Sequence, residues 1–198
     1  SSAFNASLDG VSFAVGDVRL KGHLWADPGR WSEQLGKVAA EYDPVELQRE
    51  LRGVFVAGYL SSRGEGWIVP DMLGLRCVYY GESSSEFVFS SRAELVAQAI
   101  ALDGQAPPRD LEAVCRLAFT SYWLGERTGF EGVKVAPPGV VLRLRSGSHS
   151  FDRSTDILTL ADSARRNMSI DEVVEQVVED VAESLNAALA RPGTRHII

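Results

Sequence analysis

Val54-Phe55-Val56-Ala57-Gly58-Tyr59-Leu60 is an almost unbroken apolar run, bounded by Gly53 and by the polar stretch Ser61 to Gly66. A run of this length reads as a strand covered on both faces. Ser61 to Gly66 reads as a turn, and Trp67 to Pro70 as the returning strand. Immediately upstream, Asp43-Pro44-Val45-Glu46 has the form of a helix start, with a capping Asp, Pro at the first helical position and Glu in the first turn. That helix is expected to end near Gly53. Downstream, Cys77 to Tyr80 and Phe87 to Phe89 read as strands, the first after a bend at Gly74.

Outward from this centre the same signals recur. Val11, Phe13 and Val15 alternate, and Val18, Leu20 and Leu24-Trp25 follow after Gly16-Asp17, so residues 11 to 25 read as strands with one buried face. Asp27-Pro28-Gly29 is a turn, and a weak helix is expected over 31–41. Ser91-Arg92-Ala93-Glu94 reads as a capping box opening a helix to about Leu102. Asp110 is expected to cap a helix ending at Gly125. Residues 140–145 form a strand, with another near residue 150. The chain then turns polar over 154–168, as a linker does. Ser169-Ile170-Asp171-Glu172 is a further capping box, opening a long helix with Val173, Val174, Val177, Val178, Val181, Leu185 and Leu189 on one face. Arg191-Pro192-Gly193 stops it, and Arg195 to Ile198 reads as the beginning of a strand. The pattern predicts a layered α+β domain. It also suggests that the last forty or so residues belong to a further unit.

Composition narrows the function classes. Apolar residues make up 45% and charged residues 24% of the 198, as expected for a globular protein with its own core. The net charge of −7 argues against a nucleic-acid surface, which needs a basic patch. The arginines between Arg143 and Arg153 read as a solvated strand and loop. No apolar run has the length of a membrane span, and no basic-then-apolar leader opens the chain. Cys77 and Cys115 stand among apolar neighbours and read as buried small hydrophobes in a reducing, cytoplasmic compartment. His23, His149 and His196 show no metal-ligand spacing. Glu46, Glu50 and the acids Asp171, Glu172, Glu175, Glu179 and Asp180 read as solvated helix surface. Trp25, Trp31, Trp67 and Trp123 read as core residues before cleft residues.

Three stretches resemble the asparagine synthetase family. Leu51-Arg52-Gly53-Val54-Phe55, Asp71-Met72-Leu73-Gly74 and Val78-Tyr79-Tyr80 are similar to its Gly-x-Phe strand, Asp-x-x-Gly turn and Leu-Tyr-Tyr strand. Phe89-Ser90-Ser91-Arg92-Ala93-Glu94-Leu95 resembles its Phe-Ala-Ser-Glu strand end and following helix. Thr128-Gly129-Phe130-Glu131-Gly132-Val133 and Pro137-Pro138-Gly139 resemble the elements before its last glutaminase strands. Order and spacing over residues 51–145 carry the likeness. The resemblance implies a shortened four-layer αββα sandwich of the N-terminal nucleophile (Ntn) hydrolase type, similar to a class II glutamine amidotransferase, over 1–153. It implies that 154–198 is a linker with the first helix and strand of an ATP-pyrophosphatase domain. ATP and Mg would belong to that further domain, since no Ser-Gly-Gly loop occurs here, and this chain itself is expected to hold no cofactor or metal.

The resemblance also shows what is missing. In such hydrolases residue 1 supplies nucleophile and base together. The glutamine-using family has cysteine there, and this chain has Ser1, read here as a loose end or a weaker nucleophile. The family's oxyanion donors lie in an Asn-Gly pair, but none of Asn5, Asn167 and Asn186 precedes glycine. The family's substrate-holding Asp would fall at Trp31, and an indole accepts no bond from an ammonium group. Arg19-Leu20 echoes the family's carboxylate clamp or is a strand pair with its arginine toward water.

The expectation is therefore a non-hydrolysing N-terminal domain of an ATP-dependent amide-forming enzyme, similar to lasso-peptide macrolactam cyclases and β-lactam-forming synthetases. Its role would be structural, docking a synthetase domain or another subunit through the helix over 169–190, with a peptide or small molecule as possible substrate of the whole. Two alternatives stand beside it. One is a stand-alone binding module, and the other a working glutaminase that uses Ser1.

Overall fold

The computed structural model describes residues 2–7, 10–20, 42–83, 86–101, 105, 107–146, 148–153 and 168–189. Within these the chain is mixed α+β, with two antiparallel sheets and four helices. The larger sheet has the order β1-β2-β3-β4-β8-β9. Its strands are β1 (Ser2–Ser7), β2 (Gly10–Leu20), β3 (Leu51–Ser61), β4 (Gly66–Pro70), β8 (Val140–Arg145) and β9 (Ser148–Arg153). The smaller sheet places β5 (Tyr79–Glu82) between β6 (Phe87–Ser90) and β7 (Val133–Val135). The helices are α1 (Pro44–Glu50), α2 (Ala93–Ile100), α3 (Leu111–Thr120) and α4 (Ile170–Leu189).

Strand alternation sorts the apolar side chains of the large sheet onto two faces. Leu51, Phe55 and Ala57 of β3 join Trp67, Val69 and Val141 on one face, where Leu47 of α1 packs. Val56, Ile68, Leu142 and Leu144 point the other way and meet Val78, Phe87 and Phe89 around the small sheet. The far face of the small sheet, with Tyr79, Val88 and Val133, is covered by Val96 and Ala97 of α2. The apolar run at 54–60 is apolar because its central part is covered from both sides.

Several expectations hold. Asp43 caps α1 and accepts the Val45 N–H at 2.9 Å, with Pro44 opening the helix. Asp110 caps α3 through the Ala113 N–H. At α4, Glu172 accepts the Ser169 N–H at 2.6 Å while the Ser169 hydroxyl accepts the Glu172 N–H, so that capping box is closed in both directions. Trp67 is buried.

Others need correction. Ser91 caps nothing: Arg92 occupies the N-cap of α2 and makes no side-chain cap, while the Ser90 hydroxyl takes the Arg92 N–H. Helix α1 stops at Glu50, before Gly53, because Leu51 already has extended backbone and enters β3. Helix α3 stops at Ser121, which adopts a left-handed conformation four residues before Gly125. Residues 10–20 form one strand, not two: Gly16 takes a positive φ of 106° and pairs with Phe55 without a break. The strand at Cys77 begins two residues later, at Tyr79. Cys77 is half-buried and Cys115 exposed, against the expectation that both are core residues. Arg143 is half-buried, not solvated, and joins Asp43 at the cap of α1 to Asp152 on β9. Arg19 does not face open water: its Nε is enclosed and has no hydrogen-bond partner among the described residues.

The expected helix over 31–41, the strand end at Leu24-Trp25, the linker over 154–167 and the strand at Arg195 to Ile198 lie outside the described residues. Among the described residues no helix is long and apolar enough to cross a membrane.

Candidate functional site

A cleft of about 410 Å³ lies between the two sheets. Phe13 and Val15 of β2, Val54 and Val56 of β3, Phe89 of β6 and Val78, just before β5, form its walls. Leu75, Arg76 and Cys77 belong to the loop along its open side, and Ser90 and Ser91 complete the rim. The backbone of Ser2 pairs with Val15, so β1 begins beside a cleft wall.

The loop is shaped by Asp71, whose carboxylate is 2% exposed. Its Oδ1 accepts the N–H groups of Leu73 and Leu75 at 3.2 and 3.0 Å, and its Oδ2 that of Arg76 at 2.8 Å. Gly74 supplies a left-handed φ of 65° within this turn. The Asp-x-x-Gly element is thus a backbone clamp that positions Arg76 and Cys77.

At another part of the inter-sheet layer, His149 of β9 lies against Phe87, with ring centroids 4.4 Å apart, and its Nδ1 is 3.1 Å from Glu82. Tyr80 packs on Phe151 and donates its hydroxyl to Glu126 at 3.2 Å. Burial, together with the Glu126 and Glu82 carboxylates, pushes the Tyr80 phenol up to about 12. This aromatic cluster links the sheets and keeps Tyr80 a hydrogen-bond donor throughout the neutral range.

The Thr-x-Phe-x-Gly element is also structural. Thr128 is buried and donates to the Val133 carbonyl at 2.8 Å, closing the turn before β7. Its neighbour Arg127 grips Asp110 with two hydrogen bonds and also reaches Glu112. The Ala113 N–H and Arg127 hold the Asp110 carboxyl below its ordinary 3.8, and Arg127 and Arg116 hold Glu112 below 4.5. Their folded values lie below the unfolded ones. Their stabilisation is therefore complete above the unfolded values and is lost as pH falls through the folded ones. The melting temperature followed by circular dichroism is expected to drop below about pH 4. Arg127→Gln should lower it at pH 7 and make the acid drop shallower.

Of the residues weighed for glutaminase chemistry, Arg19 and Asn186 do not line this cleft. Ser1, Trp31, His23, His196 and Asn167 lie outside the described residues. Asn5 is in β1, paired with Ser12, and Asn186 is exposed on α4. Among the described residues no group of three His, Cys, Asp or Glu side chains can hold a metal ion. Sequence reading missed the cleft, whose walls, among the described residues, are drawn from four separate stretches between Phe13 and Ser91. Val54, Val78 and Phe89-Ser90-Ser91 stand in stretches noted for their resemblance, and Leu75, Arg76 and Cys77 just after the Asp-x-x-Gly turn, but nothing in those signals marks them as neighbours in space. No protein-family model and no curated protein matches this chain.

Proposed function

We propose that this chain is a non-hydrolysing, Ntn-hydrolase-like domain from the N-terminal part of an ATP-dependent amide-forming enzyme of the asparagine synthetase type. One observation carries the reading: the packing order helix, antiparallel sheet, antiparallel sheet, helix, with ordered turns built on Asp71 and Thr128. That order supports an αββα sandwich. The absent Asn-Gly pair supports loss of ammonia production, because removing an oxyanion donor costs orders of magnitude in rate. No Ser-Gly-Gly loop of the kind that would hold ATP occurs in this sequence. ATP and Mg would be held elsewhere in the enzyme.

Helix α4 supports the docking role over a self-sufficient module. Val174, Val177, Val178, Val181 and Leu185 are exposed, so this face does not complete the domain's own core. Its flanks carry Asp171, Glu172, Glu175, Glu179 and Asp180, and the helix contains no Lys or Arg. A matching surface would be an apolar groove with basic rims.

Two measurements test the reading. Glutamine supplied to the purified chain should release ammonia no faster than buffer alone; measurable hydrolysis would restore the glutaminase alternative. The native gene product should have an intact mass well above 21.5 kDa and catalyse ATP–pyrophosphate exchange with a carboxylate substrate. A native product of this chain's own mass would sink the synthetase reading and favour the binding module.

A further inference from the structure

We infer that the cleft between the sheets binds a small amphipathic carboxylate, with its apolar body against Phe13, Val56 and Phe89 and its carboxylate on the Arg76 guanidinium. A volume of about 410 Å³ falls within the range of small-molecule sites. The walls named above are aliphatic or aromatic, so an apolar body entering the cleft removes apolar surface from water on both sides. Val54, at the wall, is 39% exposed and still has apolar area to bury.

The polar end of the cleft has a definite sign. Arg76 is a permanent cation with five N–H donors in a planar fork that matches a carboxylate. Among the described residues no acceptor is paired with its guanidinium. Asp71, the carboxylate nearest in sequence, has its oxygens on three backbone amides and makes no ion pair with the guanidinium. Gly16 makes the placement possible: a Cβ there would stand 2.7 Å from Arg76 Nε, so the side chain crosses β2 where only glycine leaves room. Ser90 and Ser91 add hydroxyl groups at the rim. Among the described residues no lysine or second arginine lines the cleft, which suits a monoanion better than a phosphate ester.

Cys77 provides a reporter. It is half-buried and lines the cleft, whereas Cys115 is exposed on α3 and takes no part in it. Both are alkylated with iodoacetamide in the same sample, with and without decanoate, and peptide mass spectrometry follows each rate. Decanoate at ten times its dissociation constant should slow Cys77 about tenfold by mass action and leave Cys115 unchanged. Decan-1-ol, with the same chain and no charge, should protect only at higher concentration. In Arg76→Gln, an exposed substitution, the advantage of decanoate over decan-1-ol should disappear. Calorimetric titration with both ligands gives the same comparison independently of thiol reactivity. The inference is overturned if decanoate shows no binding heat and no selective protection of Cys77. It is equally overturned if acid and alcohol bind alike in the parent protein.

Discussion

Phe55→Ala is expected to destabilise the protein by about 3–5 kcal/mol, the range for removing a buried aromatic ring. Phe55 is 1% exposed, and its ring lies between β3 and α1 among Leu47, Trp67, Val69 and Val141. These neighbours come from a helix and two other strands, so no single element can move in to fill the void. The loss combines ring transfer with an unfilled cavity, and roughly 10 °C of melting temperature should go with it. Val54→Ala is the control from the adjacent position. Its side chain points to the other face and is 39% exposed, so about 1 kcal/mol or less is expected. Urea unfolding measures both. Equal losses at 54 and 55 would mean that the face assignment of β3 is wrong.

Asp71→Ala is expected to cost about 2–3 kcal/mol, because hydrogen bonds to a charged, buried acceptor are the stronger kind. Three amide hydrogens lose their acceptor at once. Leu73, Leu75 and Arg76 are exposed, so water can reach those amides after the change and limits the loss. Asp71→Asn keeps one acceptor oxygen and should fall between the two. Hydrogen exchange gives the sharper readout: the amides of Leu73, Leu75 and Arg76 should lose protection, while those of β3 keep theirs. Unchanged exchange at these three amides would remove Asp71 from its role as a clamp. Because the same turn presents Arg76 and Cys77, the substitution should also weaken decanoate binding in the cleft.

Elements with a strong local signal were legible in the sequence. The run at 54–60, the caps at Asp43 and Asp110 and the reciprocal cap at Ser169 each depend on residues close together in the chain. Elements held by distant partners were not. Ser2–Ser7 shows little apolar alternation and becomes a strand through its pairing with β2. Val133–Val135 is too short to signal alone and exists because β5 pairs with it. Glycine was misread as punctuation at Gly16, Gly53 and Gly125. Positive-φ glycines at 16 and 53 instead stand opposite Phe55 and Val18 inside a continuous ladder. The cysteines were misjudged from their apolar sequence neighbours. On α3 only Ala113 is fully buried, so Cys115 shares an exposed surface with Val114. The cleft was invisible for a more basic reason, since it is a gap between sheets whose lining residues share no spacing.

The pairing of β4 with β8 has a consequence for the order of assembly. Strands β1 to β4 pair in chain order, with α1 between β2 and β3, but the next partner in the sheet, Val140–Arg145, arrives some seventy residues after β4. Until it does, the edge of Trp67 and Ile68 has open backbone donors and acceptors and uncovered apolar side chains. As the chain is synthesised, that edge is available to any other strand. Arg143 fastens the late arrival to Asp43, a hundred residues earlier, and so completes the sheet and secures the cap of α1 in one step. The slow stage of folding should be this long-range closure, and the half-made sheet is the form in which the protein is most exposed to aggregation.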